Sequence, residues 1–162
     1  LGKQTVINYV GYMMDSYMLF TLQNYAAKLV EKETSPKYYF MDTGLLGLML
    51  MDCSSAQLEN LVAIELIRRY GRENVFYFEK NVEIDFYVPE EKLAIQVSLQ
   101  VLDQIDTRER EIGAFVKLKN FIGDATCLLI TNSEEEELDY EGVHVSVVPV
   151  WKWLLQNRKQ DI

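Results

Sequence analysis

Asp85 and Gln96 are the residues of this chain best placed to do chemistry. Asp85 stands in V-E-I-D-F-Y-V, Val82 to Val88, and Gln96 in L-A-I-Q-V-S-L-Q-V, Leu93 to Val101. Both runs alternate apolar and polar residues, the pattern of half-buried strands. Val82, Ile84, Phe86 and Val88 share one predicted face, and Glu83, Asp85 and Tyr87 the other. Likewise Leu93, Ile95, Val97, Leu99 and Val101 oppose Ala94, Gln96, Ser98 and Gln100. Pro89-Glu90-Glu91-Lys92 suits a hairpin loop. If Val88 pairs with Leu93, Asp85 comes opposite Gln96 and Glu83 opposite Ser98, all four on one face. A carboxylate and an amide oxygen on neighbouring strands can share a hard cation. The plainer account of the alternation is an antiparallel sheet with one solvent-facing side.

The elements around this hairpin must position it. Gln4 to Asp15 reads as a helix, with Val6, Tyr9, Val10 and Met13 at helical spacing. Tyr17 to Leu22, Asn24 to Lys28 and Lys37 to Met41 read as short strands. Asp42 or Thr43 can cap an apolar helix from Leu45 to Met51. A longer helix follows from Ala56 to Tyr70 and stops at Gly71. Its apolar face holds Leu58, Leu61, Val62 and Leu66. Glu65 adjoins that face and Glu59 borders it. Glu65 either joins a polar site or pairs with Arg69 four residues on.

Asn74 to Glu79 is a predicted strand leading into the hairpin. Asp106, with Glu109 three residues later, is expected to cap a helix running to Ile122. Ile112, Phe115, Val116 and Phe121 give that helix its core side. Thr126 to Thr131 contains C-L-L-I and reads as a buried central strand. Glu134 to Glu137 reads as a solvated loop, Val143 to Val150 as a strand and Trp151 to Gln156 as a closing helix. This order predicts an α/β core with a mixed sheet.

Composition narrows the chemistry. Hydrophobic residues make up 49% of the 162, enough for a real core. No apolar run approaches the ~20 residues of a membrane span, and no signal-peptide pattern is visible, so the expected compartment is the cytoplasm. The net charge of −9 disfavours nucleic acid as a general partner. The clusters Arg68, Arg69, Arg72 and Arg108, Arg110 read as solvated helix faces. Cys53 and Cys127 are too few and too far apart for a disulfide framework or a zinc site. His144, the single histidine, reads as structural. Neither a P-loop nor G-x-G-x-x-G occurs.

Six segments in this order carry a resemblance. They are Y-Y-F-M-D-T-G-L at Tyr38 to Leu45, L-E-N-L-V-A-I-E-L at Leu58 to Leu66, and V-E-I-D-F at Val82 to Phe86. They continue with I-Q-V-S at Ile95 to Ser98, T-R-E-R-E-I at Thr107 to Ile112, and V-V-P-V-W-K-W-L-L at Val147 to Leu155. Together they resemble the PD-(D/E)XK nuclease-like fold, and more closely the uncharacterised C-terminal domain of prokaryotic AAA-type ATPases. The resemblance spans Gln4 to Leu155. It implies a restriction-endonuclease-like core over residues 45–162, its mixed sheet flanked by helices. It implies a partial winged helix over residues 1–44, with K-Q-T-V-I-N-Y-V as recognition helix. The chain is then expected to be a fragment whose ATPase module lies elsewhere in its parent.

Carried onto this chain, the nuclease-like site falls on Glu65 (or Glu59), Asp85, Gln96 and Ser98. Serine neither generates hydroxide nor stabilises a charged transition state as lysine does. Gln96 removes a charge from the site. Asp85 and Glu65 are expected to hold Mg²⁺ or Mn²⁺ weakly, and no other cofactor is expected. The resemblance therefore implies a non-catalytic interaction or regulatory module. Its expected partners are the ATPase module, another subunit or another protein. The alternative is a metal-dependent nuclease acting on DNA or RNA with a relocated lysine, for which Lys80 and Lys92 are candidates.

Overall fold

A computed structural model describes residues 2–27, 36–49, 54–102 and 105–156. The first element is helix α1, Lys3–Asp15, followed by strand β1, Leu19–Asn24, and β2, Lys37–Phe40. Helix α2, Gly44–Met49, and helix α3, Ser54–Tyr70, lead to β3, Phe76–Glu79. The hairpin is β4, Glu83–Val88, and β5, Leu93–Val97. Helix α4, Ile105–Ile122, then β6, Thr126–Thr131, β7, Glu136–Tyr140, β8, Val143–Pro149, and helix α5, Val150–Leu155, complete the order.

The eight strands form one mixed sheet in the order β2-β1-β3-β4-β5-β6-β8-β7. The crossover from β5 through α4 to β6 makes a parallel pair, as does β6 with β8. Strand β1 runs parallel to β3, so the N-terminal hairpin belongs to this sheet. Helix α3 and helix α5 cover one face, where Val62, Leu66 and Trp153 pack on Leu22, Tyr77, Phe86, Ile95 and Ile130. Helix α4 covers the other, with Ile112, Phe115 and Leu118 on Ile84, Ala94, Leu129 and Val147. Both faces of the β4–β5 hairpin are therefore buried, and neither is the wet side that its alternation suggests. Tyr87 and Gln96, on the polar side of the pattern, are 5% exposed each.

The predicted hairpin register is present. Val88 pairs with Leu93 and Phe86 with Ile95 across the loop from Pro89 to Lys92. The predicted single apolar face of β4 is not. Tyr87 pairs with Phe76 while Ile84 pairs with Phe78, so β4 spends three residues where β3 spends two. This bulge at Asp85 and Phe86 reverses the alternation. Ile84 consequently faces α4, whereas Phe86 and Val88 face α3.

Other boundaries shift for local reasons. Strand β1 is continuous through Asn24, and residues 25–27 form a turn in place of the expected second strand, of which Lys28 lies outside the described residues. Asp106 falls within the first turn of α4, where its charge complements the helix N-terminus. The acidic run expected as a loop supplies β7, paired antiparallel with β8 from Glu136↔Val147 to Tyr140↔Val143. Glu134 is not solvated ornament either. Its carboxylate accepts the Val101 N–H at 2.6 Å and the Leu102 N–H at 3.1 Å, tying down the chain that leaves β5. Helix α1 buries none of its residues, and Val6, Tyr9 and Tyr12 are about half exposed or more, at 48%, 58% and 65%.

Candidate functional site

The β4–β5 ladder stops at Phe86↔Ile95, and beyond it the two strands are held by side chains. The Gln96 Oε1 accepts the Asp85 N–H at 2.9 Å, and its Nε2 donates to the Glu83 carbonyl at 3.1 Å. In return, Asp85 Oδ2 accepts the Val97 N–H at 2.9 Å. Gln96 is 5% exposed and both ends of its amide are engaged, as a buried amide requires. The expected juxtaposition of Asp85 and Gln96 is thus present, but it works through the backbone.

A cleft of about 430 Å³ opens over this junction. Glu59 of α3, Glu83 and Asp85 of β4, Gln96 of β5, and Glu111 and Arg110 of α4 line it. Tyr39 of β2 donates its hydroxyl to Glu59 Oε1 at 2.8 Å. Glu111 is largely buried and accepts from Arg110 at 2.6 Å.

Glu65 and Ser98 do not join the lining. Glu59 and Glu65 are six residues apart, about 240° around the helix, so they project in different directions. Glu65 accepts from Arg68 Nε and Nη2, and from Arg69 Nε, all at 2.7 Å. Arg69 stacks 4.2 Å from the Trp153 ring centroid and donates to the Trp153 carbonyl. The i+4 pairing weighed for Glu65 is the one realised, and Arg69 is buried where a solvated helix face was expected. Arg72 bonds to the Thr21 hydroxyl at 2.8 Å. Ser98 lies just past the end of β5, where its hydroxyl donates to the Gln100 carbonyl.

Neither lysine named from sequence sits beside Asp85. Lys80 lies over the Phe121 ring, and Lys92 occupies the exposed hairpin loop with a left-handed φ of 48°. Lys117 of α4 lines the cleft, and among the described residues the lysine within ion-pair distance of Asp85 is Lys37 from β2. Its Nζ lies 2.6 Å from Glu83 Oε1 and 3.8 Å from Asp85 Oδ1, above the Tyr77 ring. The sequence carried a faint signal for it. Lys37 shares strand parity with Tyr39, which packs in the α3 core, so the long stem had to run along that face.

The electrostatics follow from this geometry. Burial pushes the Asp85 carboxyl up to about 7, and the neighbouring Glu59 adds to the effect. Lys37 and the Val97 N–H pull the other way without cancelling it. Burial lowers the Lys37 ammonium pKa, but its hydrogen bond to Glu83 and the fields of Asp85 and Glu59 more than offset this, so it is raised. Burial likewise raises Tyr39 well above the usual phenol range, keeping it a hydrogen-bond donor to Glu59. Burial pushes Glu65 up, but Arg68 and Arg69 outweigh it and hold the carboxyl below its ordinary value. As the side chains stand, no three His, Cys, Asp or Glu groups among the described residues are arranged to hold a metal ion.

Comparison with known proteins gives two matches. The model of a domain of unknown function, DUF8612, matches residues 1–56. An uncharacterized protein of Methanocaldococcus jannaschii is 32% identical over 165 residues, covering 96% of this chain. The chain spans 37% of the length of that curated relative. No solved structure matches. No helix among the described residues is long and apolar enough to cross a membrane.

Proposed function

We propose that this chain is a non-catalytic interaction and regulatory module of a prokaryotic AAA-type ATPase. In this reading it has a restriction-endonuclease-like core whose sheet takes in β1 and β2, with α1 as what a partial winged helix leaves ahead of it, and a degenerate nuclease-like site. The observation that carries the reading is the engagement of Gln96. A nuclease-like site needs that side chain to face a cation, whereas here its oxygen and nitrogen both hold the backbone of β4. Ser98, in place of the lysine, is spent on the Gln100 carbonyl. The antiparallel β4–β5 hairpin followed by a helical crossover to a parallel strand supports the endonuclease-like core. The archaeal relative is far longer than the aligned stretch, as a multidomain parent would be. The proposed partners are the ATPase module of the parent or a second protein. The net charge of −9 sets nucleic acid behind them.

One observation favours the second reading, a metal-dependent nuclease with a relocated lysine. Lys37 Nζ lies 3.8 Å from Asp85 Oδ1. The two readings separate in one assay. The purified chain, Asp85→Ala and Lys37→Ala are incubated with Mn²⁺ and either supercoiled plasmid or labelled RNA. The expected result is no cleavage above that of Asp85→Ala, since general-base assistance alone is worth about 10²–10⁴-fold. Cleavage by the parent chain that is lost in both variants would establish the nuclease.

A further inference from the structure

The sheet ends in two edges, β2 and β7, and they are finished differently. On β2 the Met41 N–H donates to the Met18 carbonyl at 3.0 Å, so the alternation of the ladder turns the N–H and C=O of Phe40 outward. Asn60 takes both. Its Oδ1 accepts the Phe40 N–H at 2.7 Å and its Nδ2 donates to the Phe40 carbonyl at 2.9 Å. Asn60 is 2% exposed, so the chain closes this edge itself. Strand β7 has no such cap among the described residues. It meets β8 at Tyr140↔Val143 across a two-residue loop, Glu141 and Gly142, both at left-handed φ of 48° and 77°. The pair flanking such a loop exchanges its backbone bonds, and the exchange recurs at every second pair. Tyr140, Leu138 and Glu136 therefore bond to β8, while Glu137 and Asp139 point their N–H and C=O groups away from the sheet. No described residue bonds to those four groups.

We propose that the β7 edge is the docking strand for an extended basic segment of a protein partner, which joins the sheet beyond β7 and sets lysine or arginine beside Glu137 and Asp139. In strand addition the open main-chain groups supply affinity and alternate side chains supply specificity. Charge selects the occupant here. Glu137 and Asp139 are 64% and 87% exposed at their side chains, and one imidazole, His144, answers both at 3.1 and 3.0 Å. Glu136 and Glu141 add exposed carboxylates to the same strand and its loop. A second copy pairing antiparallel through Leu138 would set Glu137 against Asp139 of the other copy, and like charges directly opposite are destabilising. A basic strand meets the reverse. Between the two acids Leu138 is buried toward α4, so the segment that fits alternates basic and apolar residues. The inference gives a partner chemistry to the interaction-module reading, on which it rests.

The test is binding of blocked peptides to the full chain, followed by calorimetry and by amide NMR. The probe alternates lysine and valine. One control is the same peptide N-methylated throughout, which keeps the charge and loses the pairing; another alternates glutamate and valine. The lysine–valine peptide is expected to bind, and to shift the Glu137 and Asp139 amides and slow their exchange. Both controls are expected to bind about tenfold more weakly or not at all. Asp139→Pro removes one outward N–H at a place where an edge strand accepts proline, and should weaken binding of the probe. Glu137→Lys with Asp139→Lys should reverse the preference toward the glutamate–valine peptide. Equal binding of the N-methylated peptide would overturn the inference, since charge alone would then account for it. So would absent binding, amide shifts centred away from β7, or a preference unmoved by the charge reversal. Plasmid cleavage by the parent chain is a separate readout, and it strikes the non-catalytic reading whatever the peptides show.

Discussion

Helix α3 and strand β4 each sink a carboxylate into the protein, with opposite results. Glu65 meets two arginines from its own helix, each bond at 2.7 Å. Asp85 meets a lysine reaching across the sheet at 3.8 Å and one backbone N–H. Burial disfavours the charge in both cases. At Glu65 the arginines win and the pKa falls; at Asp85 burial and the Glu59 field win and it rises to about 7. The difference has two parts: Asp85 carries the heavier desolvation and a second carboxylate beside it, whereas Glu65 has two arginines in direct hydrogen-bonded contact. A pair within one helix has its spacing fixed by helix geometry. A pair across strands depends on how far a flexible stem must reach.

Breaking the stronger arrangement gives the largest expected effect. Arg69→Ala removes a bond to Glu65, the stacking on Trp153 and a tie to the α5 backbone. It is expected to cost about 3 kcal/mol, the low end for opening a buried pair, measured by urea denaturation at pH 7. A loss below about 1 kcal/mol would mean that Arg68 alone satisfies Glu65.

The Asp85 cluster responds with the opposite sign. Its carboxyl has a higher pKa folded than unfolded, so the folded state holds the proton more tightly. The stability this provides is complete below the unfolded value near pH 4 and is lost as pH rises through about 7. Asp85→Asn is therefore expected to stabilise the chain by about 2 kcal/mol at pH 8, within the roughly 4 that three pKa units represent. At pH 4 it should change stability little. Equal effects at both pH values would show that the carboxylate is not under strain. Glu65 runs the other way. Its lowered pKa contributes stability above its unfolded value and loses it as the solution is acidified.

An exposed pair gives the smallest effect and calibrates the other two. His144 lies between Asp139 at 3.0 Å and Glu137 at 3.1 Å on the β7–β8 surface. The bond to Asp139 leads in raising its pKa above the ordinary value. An NMR titration should find the midpoint above 6.5, lowered by Asp139→Asn. The associated stability is present below pH 6.5 and fades as pH rises through the folded midpoint. An unchanged midpoint in the variant would assign the shift to Glu137.

Much of this was legible in the residues. Alternation in Val82–Val88 and Leu93–Val101, closed by a four-residue loop, set the β4–β5 register and brought Asp85 to Gln96. Helix α3 ends at Gly71, whose φ of +82° only a glycine adopts readily. These features depend on neighbours in sequence, so local pattern specifies them. The bulge at Asp85 does not. It arises because β4 must match β3 on one side and β5 on the other, a demand that no single strand carries. Strand β7 was hidden for a related reason: an edge strand can be as acidic as a loop, because only its central Leu138 needs burial.

What the sequence by itself determined is most of the elements, β7 and the turn after β1 apart, the mixed α/β class and the approach of Asp85 to Gln96. Which acid enters the cleft, and which cation answers it, was decided only in three dimensions. Glu59 and Glu65 differ by a rotation about α3, and helix packing alone chose between them. Lys37 stands 48 positions before Asp85 and reaches it only because β2 pairs with β1, β1 with β3 and β3 with β4. Two contacts that distant in the chain meet through three successive strand pairings, and electrostatics then acts on distance in space, with no regard for distance in sequence.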